Sequence, residues 1–159
     1  GTVNFMLERL DAGASFDEAL TEAREAGFAE EDPSSDVEGH DAAAKLRLLA
    51  FEAFGSAPDD AAIPRDALSA DARPAVGTRQ IGACRRVVGG LGAEVRLDAD
   101  GSDPLFLSLR GEGNALKVYG EDGTVWTCRG RGAGHWATSE SVLADVADLV
   151  RTRTRLMGI

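Results

Sequence analysis

The spacing of apolar residues in the first 27 positions predicts two short helices. In the stretch "GTVNFMLERL", apolar side chains recur at helical spacing, so the first helix is predicted over residues 3–11, with Gly13 ending it. The second is predicted to begin at Ser15, because a serine followed three positions later by Glu18 forms the capping-box pattern. It is predicted to end at Gly27, a residue type common just after helix ends.

A third helix is predicted between an acidic loop and a proline-rich segment. It begins near Asp41 and ends at Gly55, and its apolar positions are Ala42, Ala43, Ala44, Leu46, Leu48, Leu49, Phe51 and Phe54. The segment that follows is polar and contains Pro58, Pro64 and Pro74. We interpret it as a connection between two parts of the fold.

From Gly77 onward the pattern changes to short extended runs separated by glycine. The segments "RQIGACRRVV", "AEVRLDA", "ALKVYG" and "TVWTCRG" are predicted strands, and "GEDGT" between the last two is typical of a hairpin turn. A final helix, capped by Thr138 or Ser139, is predicted from "ATSESVLADVADLVRTRTRL". The pattern predicts an α+β fold in which helices pack on one face of a mainly antiparallel (mixed) β-sheet.

The charge distribution narrows the choice of partners. The chain has 159 residues and a net charge of -10; residues 1–60 hold 15 acidic and 4 basic side chains, and residues 61–159 hold 12 and 13. Nucleic-acid binding needs a basic surface, so we expect no nucleic-acid partner. No apolar run approaches the roughly 20 residues of a membrane span, and Cys84 and Cys128 form no metal or disulfide pattern. We therefore expect a cytoplasmic protein without membrane attachment.

Candidate chemistry begins with Asp41 and Lys45, which share one face of the third helix. A surface ion pair at this spacing contributes about 0.3 to 0.5 kcal/mol and needs no function. Alternatively, carboxylates from the acidic loop and the first helical turn bind an ammonium group, while Lys45 meets an oxygen whose charge changes during a reaction. The second interpretation describes a pocket for an amino acid, and the residues alone leave both open.

Two further motifs each have an ordinary explanation beside a functional one. A calcium loop starting at Asp32 would place Val37 at the required glycine and Ala43 at the bidentate glutamate, so we expect no metal site. The segment "CRGRGAGHWATSES" leads from a strand into a helix start and could approach a phosphate or a flat ring. It lacks the GxGxxG spacing of dinucleotide motifs, and a tight turn is the alternative.

Three blocks of the chain resemble the homoserine dehydrogenase family. They are "GTVNFMLERL", then "GASFDEALTEAREAGFAEEDPSSDVEGHDAAAKLRLLAFEAFG", and finally "GRGAG" followed by "ATSESVLADVADL". The resemblance implies a substrate-binding and catalytic domain over residues 1–136. It also implies that the helix of residues 137–159 packs on an N-terminal dinucleotide-binding domain, which we expect outside this chain.

The resemblance also implies roles for five residues around the substrate. Glu30 and Asp41 match residues that hold the amino group of the substrate. Lys45 matches the lysine that donates and accepts the proton at the reacting oxygen. Gly1 and Thr2 match a Gly-Thr step that lines the substrate pocket.

On the cofactor side, Gly27 and Gly134 match glycines that approach the nicotinamide of NADP or NAD. The main cofactor site is expected in the N-terminal domain. Residues 136–138 depart from the family's usual Pro-Thr step after the glycine loop.

The function implied by the resemblance is the NAD(P)-dependent interconversion of L-aspartate 4-semialdehyde and L-homoserine, in the biosynthesis of threonine, methionine and isoleucine. We expect a homodimer, and we expect residues 1–159 alone to be inactive. The alternative is a non-catalytic amino-acid-binding or dimerisation module derived from the same domain.

Overall fold

The computed structural model of the chain describes residues 1–99, 103–111 and 113–131. Within these ranges, four helices precede two β-hairpins, and a fifth, short helix lies between the hairpins. The order is α1 (Thr2–Asp11), α2 (Phe16–Glu25), α3 (Ser34–Val37), α4 (His40–Phe54), β1 (Arg79–Val87), β2 (Gly90–Asp98), α5 (Pro104–Leu107), β3 (Gly113–Tyr119) and β4 (Val125–Arg131). A 3-10 turn at Asp60–Ala62 follows α4. The predicted final helix and Gly134 lie outside the described residues.

Helices α1 and α2 are both present as their patterns predict, and they pack against each other. The capping box is present, because the backbone N–H of Glu18 donates to Ser15 Oγ (3.3 Å) and that of Ser15 donates to Glu18 Oε2 (2.8 Å). The apolar faces of the two helices enclose one buried cluster with Leu68 from the later chain. Its buried members are Val3, Met6, Leu7, Ala19, Ala23 and Leu68.

The acidic loop contains a helical turn that the sequence pattern does not predict. Helix α3 spans one turn, and the carboxylate of Asp32 accepts a hydrogen bond from the backbone N–H of Ser34 (3.0 Å) at its start. Four residues are too few to show a hydrophobic period. The same holds for α5 and for the 3-10 turn.

The four predicted strands are present, and they pair as two antiparallel hairpins. Strands β1 and β2 pair from Arg79 with Asp98 to Val87 with Gly90, and β3 and β4 pair from Gly113 to Tyr119. The turn "GEDGT" closes the second hairpin, with Gly123 at φ 83°. The α+β class is confirmed, and among the described residues the strands form two hairpins rather than one continuous sheet.

Helix α4 packs on the β1–β2 hairpin, where Gly82 leaves room for the side chain of Leu46. A Cβ atom at Gly82 would lie 3.6 Å from the Leu46 methyl groups. The buried residues of this second cluster are Ala43, Leu46, Ile63 and Val95. The core is therefore divided between a helix–helix cluster and a helix–hairpin cluster.

The proline-rich connection is tied to β2. Asp66 donates its backbone N–H to the carbonyl of Val95 and Val95 donates to Pro64, both at 2.9 Å. Arg65 and Val95 thus form a parallel bridge, and Asp66 also accepts from the N–H of Leu97 (3.0 Å). The segment of residues 63–68 lies packed between β2 and the start of α4.

Three polar side chains of α1 fix this helix to distant segments. Asn4 accepts from the backbone N–H of Gln80 (2.7 Å), Glu8 from Gly111 (2.9 Å) and Asp11 from Gly77 (3.0 Å). These contacts fix the helix that begins with Thr2. Within the described ranges, no helix has the length and apolar character needed to cross a bilayer.

Candidate active site

The candidate site begins where α1 starts, beside the turn that follows α2. Thr2 is buried, and its hydroxyl donates to the carbonyl of Phe28 (2.7 Å). Gly27 ends α2 with φ 73°, and Phe28 then bonds back to the carbonyl of Ala23 (2.8 Å). Glycine adopts this left-handed backbone without a steric penalty. The left-handed turn at Gly27 thus brings the Phe28 carbonyl next to Thr2 at the start of α1.

Glu30 lies two residues beyond Phe28 on the same turn. The residue is exposed, and its backbone carbonyl accepts from Arg24 Nε (3.3 Å), while the next carbonyl, of Glu31, accepts from Arg24 Nη2 (2.7 Å). Arg24 therefore fixes the backbone at this position. The Glu30 side chain is left to solvent at the edge of the site.

Asp41 and Lys45 form the predicted ion pair on α4. Lys45 Nζ lies 2.6 Å from Asp41 Oδ2, and the side chains are 63% and 39% exposed. By itself this is the surface pair of the simpler interpretation, whose contribution is small because water screens it. Its surroundings distinguish it from other surface pairs.

Asp36 on α3 is the residue that sequence reasoning missed. Burial raises the pKa of its carboxyl, and the negative charge of Asp41 adds to the rise. The Thr2 hydroxyl and the positive charge of Lys45 lower the same pKa and so oppose the rise. Asp36 therefore lies near Thr2 on α1 and near the Asp41–Lys45 pair on α4, and α3 packs against both of these helices. Asp36 precedes Asp41 by five residues, and this spacing indicates a shared site only once α3 is known to pack against α4.

Gly1 belongs to the same cluster. It directly precedes Thr2, and its backbone carbonyl accepts from the N–H of Phe5 (3.1 Å) in the first turn of α1. Of the residues expected to hold substrate or proton, the structure brings together Gly1, Thr2, Asp41 and Lys45 and adds Asp36. Glu30 stands on the adjoining turn.

This arrangement suits a small molecule that carries both an ammonium group and an oxygen. Two neighbouring carboxylates, one of them partly buried, attract a cation, and their mutual repulsion falls when a cation binds between them. Lys45 offers an ammonium with three protons, one of which is directed at Asp41. The other protons are available to an oxygen at this exposed face of α4.

A separate groove of about 430 Å³ lies on another part of the surface. The turn between α1 and α2 and residues 70–74 line it, with Phe16 and Arg73 among its members. None of the candidate residues lines this groove. Its size alone gives it no chemistry, so the charged cluster is the stronger candidate site.

Comparison with known proteins gives one family. A family model described as homoserine dehydrogenase matches residues 1–147. A homoserine dehydrogenase of Pseudomonas aeruginosa is 36% identical over 97% of this chain, and an NAD(+)-dependent homoserine dehydrogenase of Pseudomonas canavaninivorans is 31% identical over 98%. The chain spans 38% and 47% of these two proteins, less than half of each.

Solved structures agree with the sequence relatives. A hyperthermophilic archaeal homoserine dehydrogenase in complex with NADPH superposes with a TM-score of 0.73 and 26% identity. The match covers 95% of this chain and 45% of that one. The similarity therefore extends over nearly all of the chain and over part of the larger protein.

Proposed function

Because this chain belongs to the homoserine dehydrogenase family, we propose that it forms the substrate-binding and catalytic part of an enzyme that interconverts L-aspartate 4-semialdehyde and L-homoserine. The observation that carries the proposal is the cluster of Asp36, Asp41 and Lys45 beside Thr2. It provides an ammonium site and a proton source within one small region, as an amino acid with a reacting oxygen requires.

The roles follow from charge and position. Asp41 and Asp36 bind the substrate ammonium, with Glu30 closing the edge of the pocket, and Gly1 and Thr2 form its floor. Lys45 donates a proton to the oxygen as the carbonyl is reduced and removes it in the reverse direction. Pairing with Asp41 keeps the Lys45 ammonium oriented along the exposed face of α4.

The hydride is supplied by a nicotinamide dinucleotide, consistent with the NAD(+) and NADPH named for the relatives. Gly27 and Gly134 are proposed to allow the nicotinamide ring a close approach to the backbone. The choice between NADP and NAD lies with the dinucleotide-binding domain, which carries the ribose contacts in such folds.

We further propose the domain arrangement and partners that the resemblance implies. Residues 1–136 form the catalytic domain, and the helix of residues 137–159 packs on the dinucleotide-binding domain. The protein acts as a homodimer in the cytoplasm, in the pathway to threonine and methionine. Light scattering that gives a single-chain mass at high micromolar concentration would contradict the dimer.

The test of the function uses the two lysines of the chain as a matched pair. In the full-length enzyme, Lys45→Ala should lower turnover by at least about 100-fold, the scale of a lost acid or base. Lys117 lies in β3 and pairs instead with Asp103, the residue before α5. Lys117→Ala should therefore change turnover by less than about 3-fold. Equal losses in the two variants would contradict the role of Lys45.

Residues 1–159 alone should show no dehydrogenase activity, because the hydride donor is not held near the substrate carbon. They should still bind homoserine weakly in calorimetry. If the full-length protein bound homoserine but turned over neither substrate with either dinucleotide, the alternative of a non-catalytic amino-acid-binding module would replace the proposal.

A further inference from the structure

Arg65 lies between the 3-10 turn and the first residue of α4, and every one of its nitrogen atoms has a partner. Nε donates to the carbonyl of Ile63 (3.2 Å), and Nη2 donates to the carbonyl of Asp60 (2.7 Å) and to its carboxylate (3.0 Å). Nη1 donates to His40 Nδ1 at 2.6 Å. The Arg65 side chain is only 13% exposed, so these contacts hold it in one geometry.

The contact with His40 determines the state of the imidazole. A guanidinium has donors only, so His40 Nδ1 must accept. In this contact the donor nitrogen of the ring is Nε2, which lies 3.3 Å from Glu38 Oε2. A second proton on Nδ1 would point at the guanidinium and place two positive charges together.

His40 and Gly39 form the start of α4, and this start is packed on the Arg65 segment. Gly39 has φ 77°, and a Cβ atom there would lie 3.5 Å from Arg65 Cβ and 3.6 Å from Val95 Cγ1. The next residue after His40 is Asp41. Any movement of the first turn of α4 therefore moves Asp41 relative to Asp36.

We propose that Arg65 is a positioning residue, which acts through His40 to fix Asp41 for the substrate ammonium. The inference rests on the proposed function, since it concerns the same pocket. The charged groups around the imidazole are Glu38 at the end of α3, Arg65 with its partner Asp60, and Asp41 on α4. Glu38 faces Nε2, and Arg65 faces Nδ1.

The kinetic test compares two arginines in the full-length enzyme. Arg65→Met keeps the apolar stem but removes the donors, and it should raise KM for homoserine by about 10-fold while kcat changes by less than about 2-fold. Arg73 donates from Nη1 to the backbone carbonyls of Ala70 and Ala72, far from the pocket along the chain. Arg73→Met is the matched control and should leave both constants unchanged.

Substitutions at His40 separate positioning from folding. His40→Leu removes the acceptor for Arg65 and should raise KM for homoserine about as much as Arg65→Met does. His40→Asn places an amide oxygen where Nδ1 was, accepts from Arg65, and should keep KM within about 2-fold of the unaltered enzyme. Equal KM values in the two His40 variants would overturn the inference.

Nitrogen NMR of the full-length enzyme with isotope-labelled histidine gives a readout that does not depend on activity. The His40 ring should show a protonated Nε2 and an unprotonated Nδ1 at pH 8, and a proton on Nδ1 would overturn the inference even if Arg65→Met fails to fold. If the unaltered full-length enzyme does not turn over homoserine, the proposed function fails, and the NMR result still decides whether Arg65 holds His40.

Discussion

Leu7 in α1 is 1% exposed and Leu116 in β3 is 36% exposed, although both lie in regular elements with well-formed hydrogen bonds. The difference extends to their surroundings. The pair α1–α2 encloses a buried cluster, whereas every residue of β4, including Trp126, is exposed. The helical region is thus stabilised by packing, and the β3–β4 hairpin by its ladder and its turn. The candidate site lies in the packed region, where a carboxylate can be kept partly from water.

The largest expected effect comes from the same substitution made in both regions. Leu7→Ala should lower the free energy of unfolding by about 3 kcal/mol, because it leaves a cavity among Val3, Met6 and Ala23. Leu116→Ala should lower it by about 1 kcal/mol or less, since much of that side chain already contacts water. Denaturant unfolding followed by circular dichroism measures both. Equal losses would show that the hairpin packs as tightly as the helices.

A second test concerns the partly buried charge in the packed region. Asp36→Asn should raise KM for homoserine by about 10-fold in the full-length enzyme, because a charged partner of the substrate ammonium is lost. The same change should stabilise the chain at neutral pH. Burial raises the pKa of Asp36, so the folded state binds that proton more tightly, and stability is lost as the pH rises from the unfolded pKa through the higher folded pKa.

Unfolding at pH 4 and pH 7 checks this sign. The gain from Asp36→Asn should be larger at pH 7 than at pH 4. The exposed Asp71→Asn is the control and should show no such difference. If Asp36→Asn is less stable than the parent at pH 7, then the charged Asp36 does not lower the free energy of unfolding, and the prediction is wrong.

The smallest expected effect tests what holds the hairpin. Gly123 has φ 83° with open space around it, so Gly123→Ala should destabilise the turn by about 1 kcal/mol through backbone strain alone. Gly82→Ala in β1 would place its Cβ in ordinary contact with Leu46 and should change stability by about 0.5 kcal/mol or less. Amide exchange of β3 and β4 reports the first change. Unchanged protection there would mean that the turn does not determine the hairpin.

Local interactions explain which parts of the fold the sequence predicts. The Ser15–Glu18 capping box and the Gly123 turn each depend on residues three to five apart, and both are present as predicted. Helix α3 escapes prediction because one turn has no period. The packing of residues 63–68 on β2 escapes it because partners about 30 residues apart leave no periodic signal in the chain.

The residues of the candidate site also fall into two groups: those that local spacing predicts and those that only the fold brings together. The Asp41–Lys45 pair follows from i,i+4 spacing, and its distance of 2.6 Å agrees with that prediction. Asp36 enters the site only through the fold of α3, and Arg65 reaches His40 from 25 positions away. The roles that the family resemblance assigns to the site residues stay predictions: those of Gly1, Thr2, Gly27, Glu30, Asp41, Lys45 and Gly134.

The polar anchors of α1 have a consequence for the order of folding. Asn4, Asp11 and Glu8 bind backbone groups that are 76, 66 and 103 residues away, whereas α1 and α2 are neighbours in the chain. Contacts between neighbours form early because little chain entropy is lost in closing short loops. The helical pair should therefore be structured in the folding transition state before these anchors engage. Substituting an anchor should then accelerate unfolding more than it slows refolding.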